Sequence, residues 1–380
     1  MNKNKTFVTL FPRCKNIELL KDVGMIPYHM YKCYGYDSSV ACYGDDEYNY
    51  LNSEVSGLKL IKIPRIYNSV VKDGCSFIKK NAKNIDVLNV YHLIYSESFQ
   101  WIKLYKRLNP SGKVYLKMDL DYMGLKKHTC DNLVKRILKR NILKKCDLIS
   151  AESISICKSL YELYKIKVEH IPNGVCKINT TYVHGKNNVF LTVGRLGTVQ
   201  KATEVLLEAF AKAATKTNWT LRLVGPIEDS FIPWLNNFMN VNRDIVDRIQ
   251  FVGSLTDRDA LNKEYENAKV FVLTSRWEGY PLALAEAQTS GCYVILSDKI
   301  PPAIEAISIG NEDSNNKENN AIVGEGGVIF ENENNTMLSE IMIKVSQIDN
   351  WDEKADKIKK YADEYNNWER ICMKIEEALR

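Results

Sequence analysis

Short runs of β-branched and aromatic residues recur along this 380-residue chain, separated by longer stretches in which apolar positions return every three or four residues. In the first half the runs are FVTLF (7–11), SSVACY (38–43), LKLIKI (58–63), DVLNVYH (86–92), KVYLKMD (113–119) and DLISA (147–151). In the second they are NVFLTVG (188–194), TLRLVG (220–225), RIQFVG (248–253), KVFVLTS (269–275) and CYVILS (292–297). Such runs, bounded by turn-forming residues, read as strands, and the stretches between them, including 199–214 and 256–268, read as helices. Strand and helix in alternation make βαβ units and parallel sheets.

The pattern lapses at 171–188 (IPNGVCKINTTYVHGKNN), a turn-rich stretch without periodicity. A chain of this length is long for one core. It therefore reads as two doubly wound, Rossmann-like α/β domains facing each other across a cleft, at 1–172 and 173–362. The tail at 351–380 carries one or two amphipathic helices, and its last part, about 363–380, is expected to pack back on the first domain. The polar stretch NEDSNNKENN (311–320) is predicted as a mobile surface loop.

Composition narrows the class. Hydrophobic residues make up 45% and charged residues 26%, as in soluble globular proteins. No apolar run reaches 18 residues, and MNKNKTFVTLFP lacks the apolar core of a secretory leader, so a cytoplasmic protein is expected. The ten cysteines are scattered without a C-x-x-C pair, and the five histidines do not cluster in sequence. Free thiols in a reducing compartment and no metal site are the corresponding expectations. The net charge of +5 hides an asymmetry: residues 1–175 hold 29 Lys and Arg against 17 Asp and Glu, leaving 23 against 30 in 176–380. The basic half is suited to an anionic partner.

The chemistry concentrates in SRWEGYPLALAEAQTSG (275–291), the loop and helix that follow the strand KVFVLTS. Pro281 suits a helix first turn, Gly291 a helix stop, and Gly279 a close approach of backbone to a ligand. Ligands of open α/β sheets bind at the carboxyl ends of strands, where a helix N-terminus offers amides to an anion. Beside such a turn, Glu278 and Glu286 are placed to accept hydrogen bonds from the vicinal hydroxyls of a ribose or a sugar. Alone, the same residues also fit an ordinary acidic helix start. A second stretch, VGRLGTVQKATEVLLEAF (193–210), puts Arg195 after one strand and Lys201 at a helix start, two cations able to neutralise a diphosphate. Alone, these fit a solvated helix start equally well.

With both stretches in view, the chain resembles the retaining glycosyltransferases of family 4, bacterial surface-polysaccharide type, which have the two-domain GT-B fold. Glu278 and Glu286 match the E-x7-E signature of that family, and Arg195 and Lys201 its diphosphate-binding pair. IPNGV (171–175), LVGP (223–226), FVGSL (251–255) and KVFVLTS match its interdomain strand and C-terminal strands. The resemblance implies that Glu286 holds the ribose of a nucleotide sugar and that Glu278 contacts the transferred sugar near the reacting centre. It implies that Arg195 and Lys201 bind the diphosphate, that Gly279, Tyr280, Pro281 and Leu282 line the sugar–phosphate pocket, and that Gly253, Ser254 and Leu255 lie against the base. It implies no cofactor and no metal.

The N-terminal match is looser. It implies an acceptor side with Gly24 in a loop, Pro27 at a helix start, and His92, Lys117 and Asp119 at cleft edges. Many relatives have histidine where Lys117 falls, and the glycine that often follows the diphosphate lysine is Ala202 here.

The implied reaction moves a sugar from a nucleoside diphosphate, with UDP the expected nucleotide, to a hydroxyl of a glycan or lipid-linked saccharide with retention at the anomeric carbon. KKHTCDNLVKRILKRNILKKCD (126–147) reads as a basic amphipathic helix, and its 126–145 segment suits an anionic membrane surface at the inner face of the cell membrane. It also fits a solvated helix whose apolar face joins the core. WIKLYKRL (101–108) would add a second basic–aromatic patch. No nucleic-acid motif accompanies the charge, so no nucleic-acid partner is expected. The alternatives are a nucleotide-sugar 2-epimerase and a catalytically inactive GT-B partner subunit.

Overall fold

The computed structural model of the chain describes residues 4–94, 96–175, 184–311, 313, 315–318 and 320–380. It divides into two compact units, Met1–Cys176 with Asn367–Arg380, and Lys177–Asn366. Residues 176–183, the middle of the turn-rich seam, lie outside the described residues, as do 312, 314 and 319 of the polar stretch.

Among the described residues the first unit has strands β1 (Thr6–Leu10), β2 (Asp37–Cys42), β3 (Lys59–Lys62), β4 (Val87–Tyr91), β5 (Lys113–Lys117), β6 (Leu148–Ala151) and β7 (Glu169–His170). They form one parallel sheet in the order β3-β2-β1-β4-β5-β6-β7. The central strands are nearly continuous in buried residues because helices cover both faces. One apolar cluster gathers on Leu88, Trp101 and Leu116, and another on Phe7, Ile26 and Tyr115 together with Trp368 and Ile375 of the C-terminal helix Trp368–Leu379.

The second unit has β8 (Asn187–Val193), β9 (Thr220–Val224), β10 (Ile249–Gly253), β11 (Ala268–Leu273), β12 (Tyr293–Ser297), β13 (Asn316–Glu318), β14 (Ala321–Val323) and β15 (Gly327–Phe330). Their order is β10-β9-β8-β11-β12-β15-β14-β13, parallel up to β15, with β14 and β13 added antiparallel. Phe190, Phe210 and Trp219 centre the core on one face, and Tyr265, Phe271 and Leu284 on the other. Two Rossmann-like units with parallel sheets make this the GT-B fold.

The eleven runs read as strands all pair. β7, β13, β14 and β15 were not foreseen, because they are short and lack alternation. The polar stretch read as a mobile loop contains β13, held by backbone pairing to β14 across Asn316↔Val323 and Glu318↔Ala321. The basic segment is two helices rather than one: Tyr122–Thr129 ends before Cys130, and Asn132 caps Leu133–Leu143 by accepting from the Lys135 amide at 2.9 Å. The helix read over 199–214 begins only at Thr203, because Ala202 is left-handed (φ 48°).

Candidate functional site

In the second unit the carboxyl ends of β8, β9 and β10 meet backbone to backbone. The Gly194 amide donates to Val224, and the Gly225 amide to Gly253, at 2.9 and 2.8 Å. Gly225 has φ 137°, and a Cβ there would sit 1.8 Å from the Gly194 carbonyl oxygen, so only glycine fits. The same crowding keeps the LVGP and FVGSL loops short and leaves Gly253, Ser254 and Leu255 at the strand ends, with Ser254 exposed and Leu255 packed against the core.

Glu278 follows β11 and is buried. Lys201 Nζ lies 2.5 Å from its Oε1, Ser275 Oγ donates to the same oxygen at 2.7 Å, and Gln200 Nε2 donates to Oε2 at 3.4 Å. Gln200 is pinned by a bond to the Trp277 carbonyl and also accepts from Arg195 Nη2 at 3.3 Å. Arg195 itself is exposed. Glu278, Lys201 and Arg195, 83 positions apart at most by their numbering, thus form one connected polar group.

Glu286 projects from the helix Leu282–Thr289, whose N-cap position is Pro281 rather than a helical residue. Arg258 Nη1 meets its Oε1 and the Tyr265 hydroxyl its Oε2, both at 2.9 Å. Burial, then the neighbouring Glu286 charge, push Tyr265 well above the ordinary phenol range, so it stays a donor. The Glu286 side chain is 12% exposed, leaving one edge open. Gly279 and Leu282 are half-buried, and the Tyr280 hydroxyl donates to Asn366 Oδ1 at 2.7 Å, which orients the loop between the two carboxylates. Gln200, Arg258 and Tyr265 escaped the sequence reading because a donor to a carboxylate leaves no mark of its own when it comes from a different βα unit; Ser275 lies in the same loop as Glu278, three residues before it, but a lone serine there carries no signal.

The first unit departs further from expectation. Gly24 lies inside the helix Asp22–Tyr34, not in a loop, with the Leu19 backbone only 2.4 Å from where its Cβ would be. Pro27 is consequently internal to that helix rather than at its start. Lys117 is not at an edge but fully buried: Nζ lies 2.9 Å from Glu152 Oε1, 3.9 Å from Asp22 Oδ2, and donates to the Ile171 carbonyl at 3.3 Å. Burial opposes the ammonium, but Glu152, Tyr115 and Asp22 outweigh it and raise its pKa. Asp22 is raised to about 7, chiefly by burial, which Lys117 offsets only in part. Glu152 is also raised by burial. One ammonium cannot neutralise two buried carboxylates, and Glu152 Oε2 has no hydrogen-bond partner among the described residues.

His92 and Asp119 end β4 and β5 in the left-handed region (φ 55° and 43°), conformations that cost non-glycine residues about 1 kcal/mol or more. The His92 amide donates to the Lys117 carbonyl at 2.8 Å, and His92 Nε2 lies 3.9 Å from Asp119 Oδ2. Both are partly exposed. Sequence reasoning missed Asp22 and Glu152; each reads alone as an ordinary surface acid.

On the helix Leu133–Leu143 only Ile142 and Leu143 join the core. Leu133, Val134, Ile137 and Leu138 are 72%, 66%, 49% and 37% exposed, beside exposed Lys126, Lys127, Lys135, Lys144 and Lys145. By contrast Trp101 and Tyr105 of 101–108 are buried, so that segment forms no aromatic patch. Among the described residues no helix is long and apolar enough to cross a membrane.

The fold has counterparts among known proteins. Residues 179–365, just under half of the chain, match the family of glycosyl transferases group 1. Together with the GT-B fold, that domain supports a GT-B glycosyltransferase. No curated protein matches the chain significantly in sequence. Among solved structures it is similar to HepE of Anabaena in complex with UDP, at 14% identity and a TM-score of 0.71 over 98% of this chain and 99% of that one. It is similar also to sucrose-phosphate synthase of Thermosynechococcus elongatus (14%, TM-score 0.67, 98% of both chains). A third, the lipopolysaccharide outer core galactosyltransferase WaaB in its apo form, is 16% identical with a TM-score of 0.68 over 98% of this chain and 99% of that one.

Proposed function

We propose that the protein is a retaining glycosyltransferase of family 4 that moves a sugar from a nucleoside diphosphate, UDP by preference, to a hydroxyl of a glycan or lipid-linked saccharide. The observation that carries this reading is the pairing of Lys201 with Glu278, joined to Arg195 through Gln200 at the carboxyl ends of β8 and β11, with Glu286 on the helix that follows. In the free protein Lys201 and Glu278 satisfy each other. When the donor binds, Lys201 and Arg195 turn to the diphosphate, and Glu278 is released to accept hydrogen bonds from the sugar. Glu286, held by Arg258 and Tyr265, accepts from the ribose hydroxyls, while Gly279 to Leu282 bring backbone against the sugar and phosphate.

The bond from the anomeric carbon to the diphosphate oxygen breaks as the bond to the acceptor oxygen forms on the same face. The acceptor proton passes to the departing diphosphate. The two cations stabilise the charge that develops there, in the role that a metal ion fills in other sites, so no cofactor is needed. HepE has been solved with UDP, with UDP and glucose, and with UDP-glucose, which supports a UDP-sugar donor. WaaB, by its description, acts on lipopolysaccharide outer core, which supports a surface saccharide as acceptor. The exposed lysines and apolar residues at 126–145 support docking on an anionic membrane at the inner face, each basic residue near such a surface contributing about 1 kcal/mol.

The test is nucleotide release from UDP-, GDP- and ADP-sugars by the wild type and Glu286→Ala. Release from one donor, lost in the variant, is expected. No release from any donor, together with no donor binding by calorimetry, would sink the proposal.

A further inference from the structure

Away from the donor site, the helices Asp22–Tyr34 and Trp368–Leu379 pack together within the first unit. His29 and Cys33 stand four residues apart on the first helix and therefore share a face. Glu369 lies in the first turn of the second, where Asn367 caps the helix by accepting from the Glu369 and Arg370 amides at 2.8 and 3.2 Å. One donor atom from each of His29, Cys33 and Glu369 lies within 4.8 Å of the other two, and His29 Nδ1 is 3.9 Å from Cys33 Sγ. Tetrahedral zinc with bonds of about 2.0–2.3 Å sets neighbouring donors roughly 3.3–3.8 Å apart. Small side-chain rotations therefore close the triad without moving either helix.

We propose that His29, Cys33 and Glu369 bind a zinc ion, with water as fourth ligand, and that this ion staples the C-terminal helix to the helix Asp22–Tyr34. The imidazole is well prepared for it. His29 is buried, and its ring lies stacked on Trp368 at 22° with centroids 6.4 Å apart, which fixes its orientation. A thiolate, an imidazole and a carboxylate together select zinc over magnesium or calcium, which take oxygen ligands. Lys32 now lies 3.8 Å from Glu369 in a solvent-exposed pair, a weak contact that a divalent ion displaces readily. Binding expels the Cys33 thiol proton to solvent as the sulfur–zinc bond forms. The site stands independently of the proposed transfer reaction.

The experiment uses the full chain, stripped with a chelator and titrated with Co2+ and then Zn2+. One equivalent of cobalt should give a sulfur-to-metal charge-transfer band that zinc removes. Cys33→Ser should abolish the band, whereas Cys130→Ser, at another exposed cysteine, should keep it. Glu369→Gln should weaken zinc at least tenfold. Zinc at a hundredfold excess over its Kd should raise the unfolding midpoint of the 380-residue chain by about 3–4 °C. The absence of stoichiometric binding by the wild type, or an unchanged band in Cys33→Ser, would overturn the proposal.

Discussion

The cluster of Lys117, Asp22 and Glu152 makes a prediction that needs no substrate. Replacing Asp22 by asparagine removes a buried carboxylate and keeps its shape. Asp22 is raised from 3.8 to about 7 in the folded protein. Between those values the folded state keeps a proton that the unfolded chain has lost, so stability from this group is complete below 3.8 and is lost as pH rises through 7. Each pKa unit corresponds to 1.36 kcal/mol, so the shift amounts to roughly 4 kcal/mol as a ceiling, and about 2–4 kcal/mol after local relaxation. His29, His128 and His170 act in the opposite direction. Burial lowers each to about 4, so their stability is present above 6.5 and is lost as pH falls. The raw pH profile therefore mixes opposing slopes, and the difference between variant and wild type removes the contributions of those three histidines and leaves the cluster of Asp22 with Lys117, Glu152, Asp119 and His92. Urea unfolding of both proteins from pH 4.5 to 8 should show Asp22→Asn gaining steadily on the wild type, by about 2–4 kcal/mol at pH 8. Parallel curves would refute the reasoning and place Asp22 in a wetter site than the structure gives it.

Three further outcomes are expected. Arg195→Ala and Lys201→Ala should each slow sugar transfer by about 100- to 1000-fold; the melting temperature should stay close to wild type for exposed Arg195 but fall for Lys201→Ala, which leaves buried Glu278 without its ammonium partner, and near-normal kcat in either would exclude the diphosphate role. Tyr265→Phe should weaken UDP binding measured by calorimetry by about 10- to 100-fold, since a hydrogen bond to a charged group contributes roughly 1.5–3 kcal/mol and Glu286 would lose its fixed orientation. Ala202→Gly should change stability by less than about 1 kcal/mol in denaturant titrations, because relief of the left-handed backbone before the helix Thr203–Ala213 is offset by loss of a fully buried methyl from the core.

Much of this molecule can be read along the chain. Buried parallel strands are written as continuous apolar runs, so eleven strands and the βα alternation are legible without coordinates. The loops that carry Glu278, Glu286, Arg195 and Lys201 are also legible, because a turn at a strand's carboxyl end is local, and the structure links Arg195, Lys201 and Glu278 through hydrogen bonds. What the sequence leaves undecided is every property that depends on residues from distant elements. Lys117 reads as an edge residue, but as the last residue of β5 it is enclosed by β4, β6 and the helix Asp22–Tyr34, and burial then raises the pKa of Asp22. Leu133 to Leu138 read equally well as core or surface; only the break at Asn132 and the packing of Ile142 and Leu143 turn them outward. The E-x7-E spacing places Glu286 but not Arg258 and Tyr265, which hold it from another βα unit. His29 and Cys33 carry no metal signature until the chain's last helix folds back and brings Glu369 beside them. Local backbone chemistry is a property of neighbours in sequence; desolvation, charge pairing and ligand convergence are properties of neighbours in space.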